Sequence, residues 1–315
     1  MKEHNTTTGI TACALATACI PWSEDGGFLE PVFRREIRLL RERGFENLYI
    51  FGTAGEGYAV TNAQFRDVAA VFSEETQDMT GLRQLGVIGL STPQVRERIE
   101  IGLELGFNQF QVSLPSWGTL NDTEVERYFT DILDAYPDAS FLHYNTPRGG
   151  RVLTGAQYAR LSDAHPNLAA TKSGGHTVAS LMTLCNQAPR IRHFVTELDY
   201  AAACLLGLDV GLLVSVSAVN PRRSLDFFTA GQQGDNEQLR RLLAEINAIR
   251  EKVIALATRA GGHMDGTFDK LYARLLDREF PLCLLSPYQD AGEQACRQLA
   301  QWLHDEMPDW AKRET

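Results

Sequence analysis

A chain of 315 residues can hold two ordinary domains or one large α/β barrel with an extension. Hydrophobic side chains at 44% and charged ones at 22% provide enough material for a large core, which excludes disorder except at the ends. Forty acidic against thirty basic side chains leave a net charge of −10 with no dense Lys/Arg run, so nucleic acid is excluded and a small molecule is the expected partner.

In chain order, short apolar runs rich in β-branched or aromatic residues alternate with longer stretches of helical period, the pattern of βα units on a parallel sheet. The strand-like runs are ITACALAT from Ile10, NLYIFG from Asn47, QLGVIG from Gln84, QFQVS from Gln109, SFLHY from Ser140, NLAAT from Asn167, RHFV from Arg192 and DVGLLVSVS from Asp209. Among the helix-like stretches between them, EPVFRREIRLLRERG from Glu30 is stopped by Gly44. TPQVRERIEIGLELG from Thr92 has Pro93 near its start and Gly106 after its end. Eight such units predict a closed (β/α)₈ TIM barrel, because a doubly wound sheet stops at fewer strands and opens on a G-x-G-x-x-G turn that is missing here. After Pro221 the pattern is helical through SLDFFTAGQQ, EQLRRLLAEINAIREKVIALATRAGG and AGEQACRQLAQWLHDEM. The expected division is therefore a barrel with the active site over residues 1–221 and a helical C-terminal extension packed on it over 222–315.

The six cysteines (Cys13, Cys19, Cys185, Cys204, Cys283 and Cys296) lie in apolar surroundings without C-x-x-C spacing, which predicts reduced thiols and suits the cytoplasm. The seven histidines, His4, His143, His165, His176, His193, His263 and His304, have no metal spacing, so no metal is assigned. His143 is expected to pack behind the strand that ends at Tyr144. The opening MKEHNTTTGI has no basic start before an apolar core, and no run approaches the roughly 18 apolar residues of a membrane span. A soluble protein without a membrane partner is expected.

A barrel of this kind places its active site where the strands end. Thr53 and Glu56 follow the second run, Ser113 and Trp117 the fourth, Tyr144 and Lys172 end the fifth and sixth, Thr196 and Glu197 follow the seventh, and Ser215 and Ser217 lie in the eighth. A lysine with its stem among barrel side chains loses solvation, and desolvation favours the free amine that attacks a ketone. Tyr144 on the neighbouring strand opens into the same cavity, where a phenol can shuttle protons. The turn Gly52-Thr53-Ala54-Gly55-Glu56-Gly57 has residues small enough for backbone N–H groups to converge on a carboxylate. Each feature also has a plainer reading: a snorkelling lysine, a packed tyrosine, a tight connection without ligand, and a glutamate that anchors structure.

Taken together, Gly52-Thr53-Ala54-Gly55-Glu56, Tyr144-Asn145-Thr146-Pro147 and Lys172 resemble the dihydrodipicolinate synthase and N-acetylneuraminate lyase family, whose marks are a G-[ST]-[TS]-G-E turn, a Y-N-x-P segment and a Schiff-base lysine. GITACALAT looks like the family's first strand, GLLVSVSAVNP like its eighth, and the C-terminal helices like its extension. The resemblance implies a class I aldolase mechanism without metal or organic cofactor. Lys172 would form an imine with pyruvate or a longer 2-oxo acid, and Tyr144 would move protons. The substrate carboxylate would rest on backbone N–H groups of Thr53 and Ala54 beside Gly55, with the Thr53 hydroxyl assisting and Ser215 nearby. A homotetramer or dimer is expected by the same likeness.

This chain departs from the lysine-biosynthesis member of the family at two places. A second hydroxyl of the glycine turn and a tyrosine after strand four relay protons there, whereas Ala54 and Trp117 stand here and cannot do so. The arginine after Y-N-x-P is displaced, leaving Arg148 or Arg151 for a second carboxylate. These departures argue against a dihydrodipicolinate synthase, and Trp117 suggests a wall for an apolar or planar part of the substrate, or packing at a subunit interface. Three functions remain: a lyase or aldolase, or a hydratase-aldolase, acting on pyruvate or a longer 2-oxo acid with an aldehyde, a 2-keto-3-deoxy sugar acid dehydratase using the same imine, and a non-catalytic small-acid-binding barrel.

Overall fold

The computed structural model describes residues 9–312, so His4 lies outside the described residues. Eight strands follow one another in chain order round a closed barrel: β1 (Ala14–Thr17), β2 (Leu48–Ile50), β3 (Arg83–Gly86), β4 (Gln109–Val112), β5 (Ser140–Tyr144), β6 (Leu168–Ser173), β7 (Arg192–Val195) and β8 (Gly211–Val214). Helices α1 (Glu30–Glu42), α2 (Asn62–Thr76), α3 (Thr92–Glu104), α4 (Asp122–Leu133), α5 (Gly155–Ala164), α6 (Val178–Gln187) and α7 (Glu197–Leu205) alternate with them. From Pro221 onward the regular elements are helical: α8 (Pro221–Gln233), α9 (Asn236–Arg259), α10 (Asp265–Leu276), α11 (Gly292–Glu306) and α12 (Pro308–Ala311). The chain is thus an α/β protein, a TIM barrel with a helical C-terminal extension. The strand positions follow the sequence runs, but β1 and β8 begin later than their apolar runs do.

Local signals account for most of the boundaries. Thr61, Asn121 and Thr154 each accept from the third helical N–H while Gln64, Glu124 and Gln157 bond back to the cap, closing capping boxes on α2, α4 and α5. Gly44 at φ 98° and Gly106 at φ 81° follow α1 and α3 in a conformation that ends a helix without Cβ strain. In α9, Leu239, Leu242, Ile246, Ile249, Val253 and Leu256 recur every three or four residues and are buried, a single apolar stripe along 24 residues.

The chain forms two compact units, one of residues 9–15 with Arg83–Leu213 and the other of Ala16–Leu82 with 214–312. In the first, Leu85 pairs with Phe110 and Gly86 with Gln111, Gln111 pairs with Leu142, Tyr144 with Lys172, and Lys172 with Phe194. Paired residues of parallel strands share a face and neighbours along a strand alternate. Gln84, Gln111, Leu142, Tyr144, Ala170, Lys172, Arg192 and Phe194 therefore share one face. His143, Thr171 and His193 take the other, where His143 meets Phe129 of α4 edge-on at 5.1 Å. In the second unit Phe33, Ile37, Phe65, Phe72, Ile246, Leu271 and Leu299 are fully buried and supply the core. Among the described residues no helix is long and apolar enough to cross a membrane, and all six cysteines are unpaired.

Candidate active site

Lys172 is only 2% exposed although it lies one residue before the end of β6. Its Nζ lies 4.2 Å from the centroid of the Tyr144 ring and donates to Gln111 Oε1 at 3.2 Å. The register explains the first contact, because Tyr144 and Lys172 are directly paired on β5 and β6. Asn145, the next residue, locks this arrangement: its N–H donates to the Lys172 carbonyl at 2.8 Å, and its side-chain amide accepts from Leu153 N at 2.8 Å and donates to Leu153 O at 2.9 Å. The asparagine of the Tyr-Asn-Thr-Pro segment thus fixes the loop that leaves β5 and ties it to β6.

Beyond Lys172 the β6–α6 connection is fastened by Asp199. Its carboxylate accepts from Gly175 N at 2.9 Å, His176 N at 3.2 Å and the Thr196 hydroxyl at 3.0 Å. His176 Nε2 lies 2.8 Å from Ser173 Oγ, and burial holds its imidazole below the usual histidine range while Asp199 opposes that. Behind β5, His143 Nδ1 lies 2.6 Å from the Tyr158 hydroxyl and burial depresses it to about 3, so it is a neutral packing group. This is the position the sequence suggests for it.

In the second unit the glycine turn is built under severe steric limits. Phe51 and Glu56 both adopt positive φ, at 59° and 54°, which side chains other than glycine rarely do. A Cβ on Gly55 would sit 2.6 Å from Phe51 N, and one on Gly57 would sit 2.3 Å from Phe51 O. The turn's own hydrogen bonds use the N–H groups of Glu56 and Gly57, which reach Thr53 O and Gly52 O at 3.2 Å each. Thr53, Ala54 and Gly55 are buried. Glu56 is fully buried and accepts from Lys270 Nζ at 2.6 Å, Leu285 N at 2.6 Å and Trp22 Nε1 at 3.1 Å. Glu56 is therefore the anchor of this turn, held by an ion pair with a lysine from α10 that is equally buried.

The other candidates are dispersed. Trp117 is 91% exposed and lines a groove of about 920 Å³ with Leu90, Pro93, Arg96, Glu100 and Tyr128, on the flank of α3 and α4. Lys172 and Tyr144 do not line that groove. Arg151 bonds Asp122 at 2.7 Å and Leu120 O at 2.9 Å, which engages both ends of its guanidinium. Arg148 stands exposed on the 3₁₀ turn Pro147–Gly149, and Ser215 is half-buried just after β8. Among the described residues no group of three or more His, Cys, Asp or Glu gathers as metal ligands.

Sequence reasoning passed over Gln111 and Lys270. A polar residue between Phe110 and Val112 in an apolar strand is a detectable signal for the first. The second lies on α10, whose N-cap residue Met264 makes no side-chain cap.

The fold is shared with several solved structures. A prophage protein of Escherichia coli K12, YagE, described as belonging to the dihydrodipicolinic acid synthase family and solved in complex with pyruvate, superposes with a TM-score of 0.84 at 20% identity, over 94% of this chain and 98% of its own. CdNal from Clostridium difficile, solved in complex with mannosamine, gives 0.80 at 16% identity over 91% and 96%. The dihydrodipicolinate synthase of Aquifex aeolicus gives 0.81 at 16% over 96% and 99%. Likeness at these identities speaks for the fold, and the sequence speaks for the family: a model of the dihydrodipicolinate synthetase family matches residues 11–261, well over half of the 315, and the chain belongs to that family.

Proposed function

We propose that the protein is a Schiff-base-forming lyase that acts on pyruvate or a longer 2-oxo acid through an imine on Lys172. The observation that carries this reading is a lysine 2% exposed near the end of β6, with its amine on a neutral amide and a tyrosine ring at 4.2 Å. An amine so enclosed is shielded from bulk water and held at a fixed place for attack on a ketone. Membership of a family of lyases and aldolases supports it, as does the pyruvate held by the E. coli relative.

The Nζ lone pair attacks C2 of the keto acid, and the Nζ–C2 bond forms as the carbonyl π pair moves to oxygen. That oxygen takes two protons and leaves as water, giving a protonated imine. In the cleavage direction the C4 hydroxyl loses its proton, the C3–C4 bond breaks, an aldehyde departs and the bonding pair passes through C3 to the imine as an enamine. Protonation at C3 and addition of water then return the lysine and the keto acid. Tyr144 is the proposed proton carrier. Thr53 and Ala54 are the proposed carboxylate-binding residues through their N–H groups, with Gly55 allowing the turn and the Thr53 hydroxyl assisting. Ser215 and Arg148 remain candidates for contacts to the rest of the substrate. Ala54 and the outward Trp117 supply no relay hydroxyl, so the second substrate we propose is an aldehyde other than aspartate semialdehyde.

Incubation of the full chain with pyruvate and borohydride, followed by intact mass and peptide mapping, tests the reading. One reduced pyruvyl group on Lys172, absent from Lys172→Ala, is the expected result, together with no efficient turnover of pyruvate and aspartate semialdehyde. A folded wild-type protein that forms no adduct with pyruvate or with longer 2-oxo acids would overturn it.

A further inference from the structure

Gln111 is 1% exposed on β4, and its side chain meets Lys172 directly. Its Oε1 accepts from Nζ at 3.2 Å, while its Nε2 is buried with no hydrogen-bond partner. Gln84, on the same face of β3, also buries an Oε1 without a hydrogen-bond partner. Residues in register with Gln111 or sharing its face include Leu142, Ala170 and Phe194, all apolar. Packing alone would favour another apolar side chain at position 111, since a buried amide with an idle N–H₂ is costly. A group kept at such a cost calls for a functional explanation.

We propose that Gln111 is the positioning residue of the Lys172 amine, accepting its N–H in the resting state and again in the protonated imine. The proposal rests on the imine reading above and adds to it a residue that touches the lysine and not the substrate. In the free amine, an N–H given to Oε1 turns the nitrogen lone pair away from Gln111. After water is lost the nitrogen keeps one N–H, and the same oxygen accepts it, now as a charge-assisted hydrogen bond. An amide suits both states because it does not ionise. A carboxylate at this distance would bind the ammonium and suppress the nucleophile.

Neighbouring charges are the same in every variant at position 111. On the Lys172 face stand Tyr144 of β5 and Arg192 of β7, the latter bonded to Asp209 and Ile10 O. At the strand ends stand His176, Glu197 and Asp199, and His143 and His193 occupy the opposite face. A change in Lys172 behaviour that follows the charge placed at 111 is therefore local to that contact.

The experiment uses the full chain as wild type, Gln111→Glu and Gln111→Met, with folding checked by circular dichroism. Lys172 is carbamoylated with cyanate across pH, and its modification rate is read by peptide mass mapping, which needs no substrate. The midpoint of the pH–rate curve should rise by at least about one unit in Gln111→Glu, as an opposite charge in contact requires, and fall in Gln111→Met. Pyruvate trapping should then need about tenfold more pyruvate in Gln111→Met, the scale of one lost hydrogen bond to a charged group. Coincident midpoints in wild type and Gln111→Glu would overturn the proposal even if Gln111→Met does not fold. Ordered midpoints without any adduct from pyruvate or longer 2-oxo acids would leave Gln111 as the positioning residue of the amine and sink the imine reading instead.

Discussion

Tyr144 is half-buried where Lys172 is almost wholly enclosed, and its ring lies 4.2 Å from the amine. That placement suits a group that takes and returns protons without carrying the covalent intermediate. Tyr144→Phe should keep the reduced pyruvyl adduct on Lys172 while lowering kcat by about 10²–10⁴, the usual contribution of one general acid–base group. Adduct mass and kcat measured on the same preparation check it, and a kcat within twofold of wild type would remove the role. Both residues can be picked out in the sequence as candidates, because each stands where an apolar run stops and a barrel places its active site there. Gln111 is not legible in the same way. A parallel strand is apolar on both faces, so the run QFQV does not say which of its residues look inward until the register with β5 and β6 is known.

At the scale of elements, the glycine turn depends on a helix far along the chain. Glu56 and Lys270 are separated by 214 positions (270 − 56) and meet at 2.6 Å with both side chains excluded from water. Burial pushes the Lys270 ammonium below its ordinary range, and Glu56 opposes that shift. Such a pair contributes little net stability, but either partner alone is an uncompensated buried charge. Lys270→Met should therefore cost about 3–5 kcal/mol in chemical denaturation, and Glu56→Gln combined with Lys270→Met should recover more than half of that. A single-variant cost below about 1 kcal/mol would mean that water or another cation already screens Glu56. The sequence marks the glycines of this turn and allows Glu56 as an anchor, yet it cannot name the partner. Helix α10 is preceded by Met264, which offers no capping side chain, so the signals that reveal α2, α4 and α5 are missing where Lys270 lies.

For the whole molecule the eightfold alternation of apolar runs and helical stretches is enough to read the barrel, since only the order of elements is needed. Its pH response is hidden from sequence because it depends on which ionisable groups burial encloses. Glu36 of α1 is fully buried, neither of its carboxyl oxygens has a hydrogen-bond partner among the described residues, and burial with the nearby Asp277 carboxylate pushes its carboxyl up to about 8. Between its ordinary 4.5 and about 8, the native state holds a proton that the unfolded chain has lost. Stability from this group is intact below 4.5 and falls as pH rises to about 8, by about 1.4 kcal/mol per unit for one proton. His143 and His193 act the other way, because burial depresses them to about 3 and about 4 from an ordinary 6.5, so their contribution grows as pH rises to 6.5 and then stops. Above 6.5 the Glu36 loss is no longer offset by these two histidines. Glu36→Gln removes the Glu36 proton from both states, so the difference in Tm between this variant and wild type should move steadily in favour of the variant from pH 4.5 to 8. Thermal melts at half-unit steps measure it. A constant difference across that range would mean that Glu36 is ionised in the native protein and that the interior around α1 admits water.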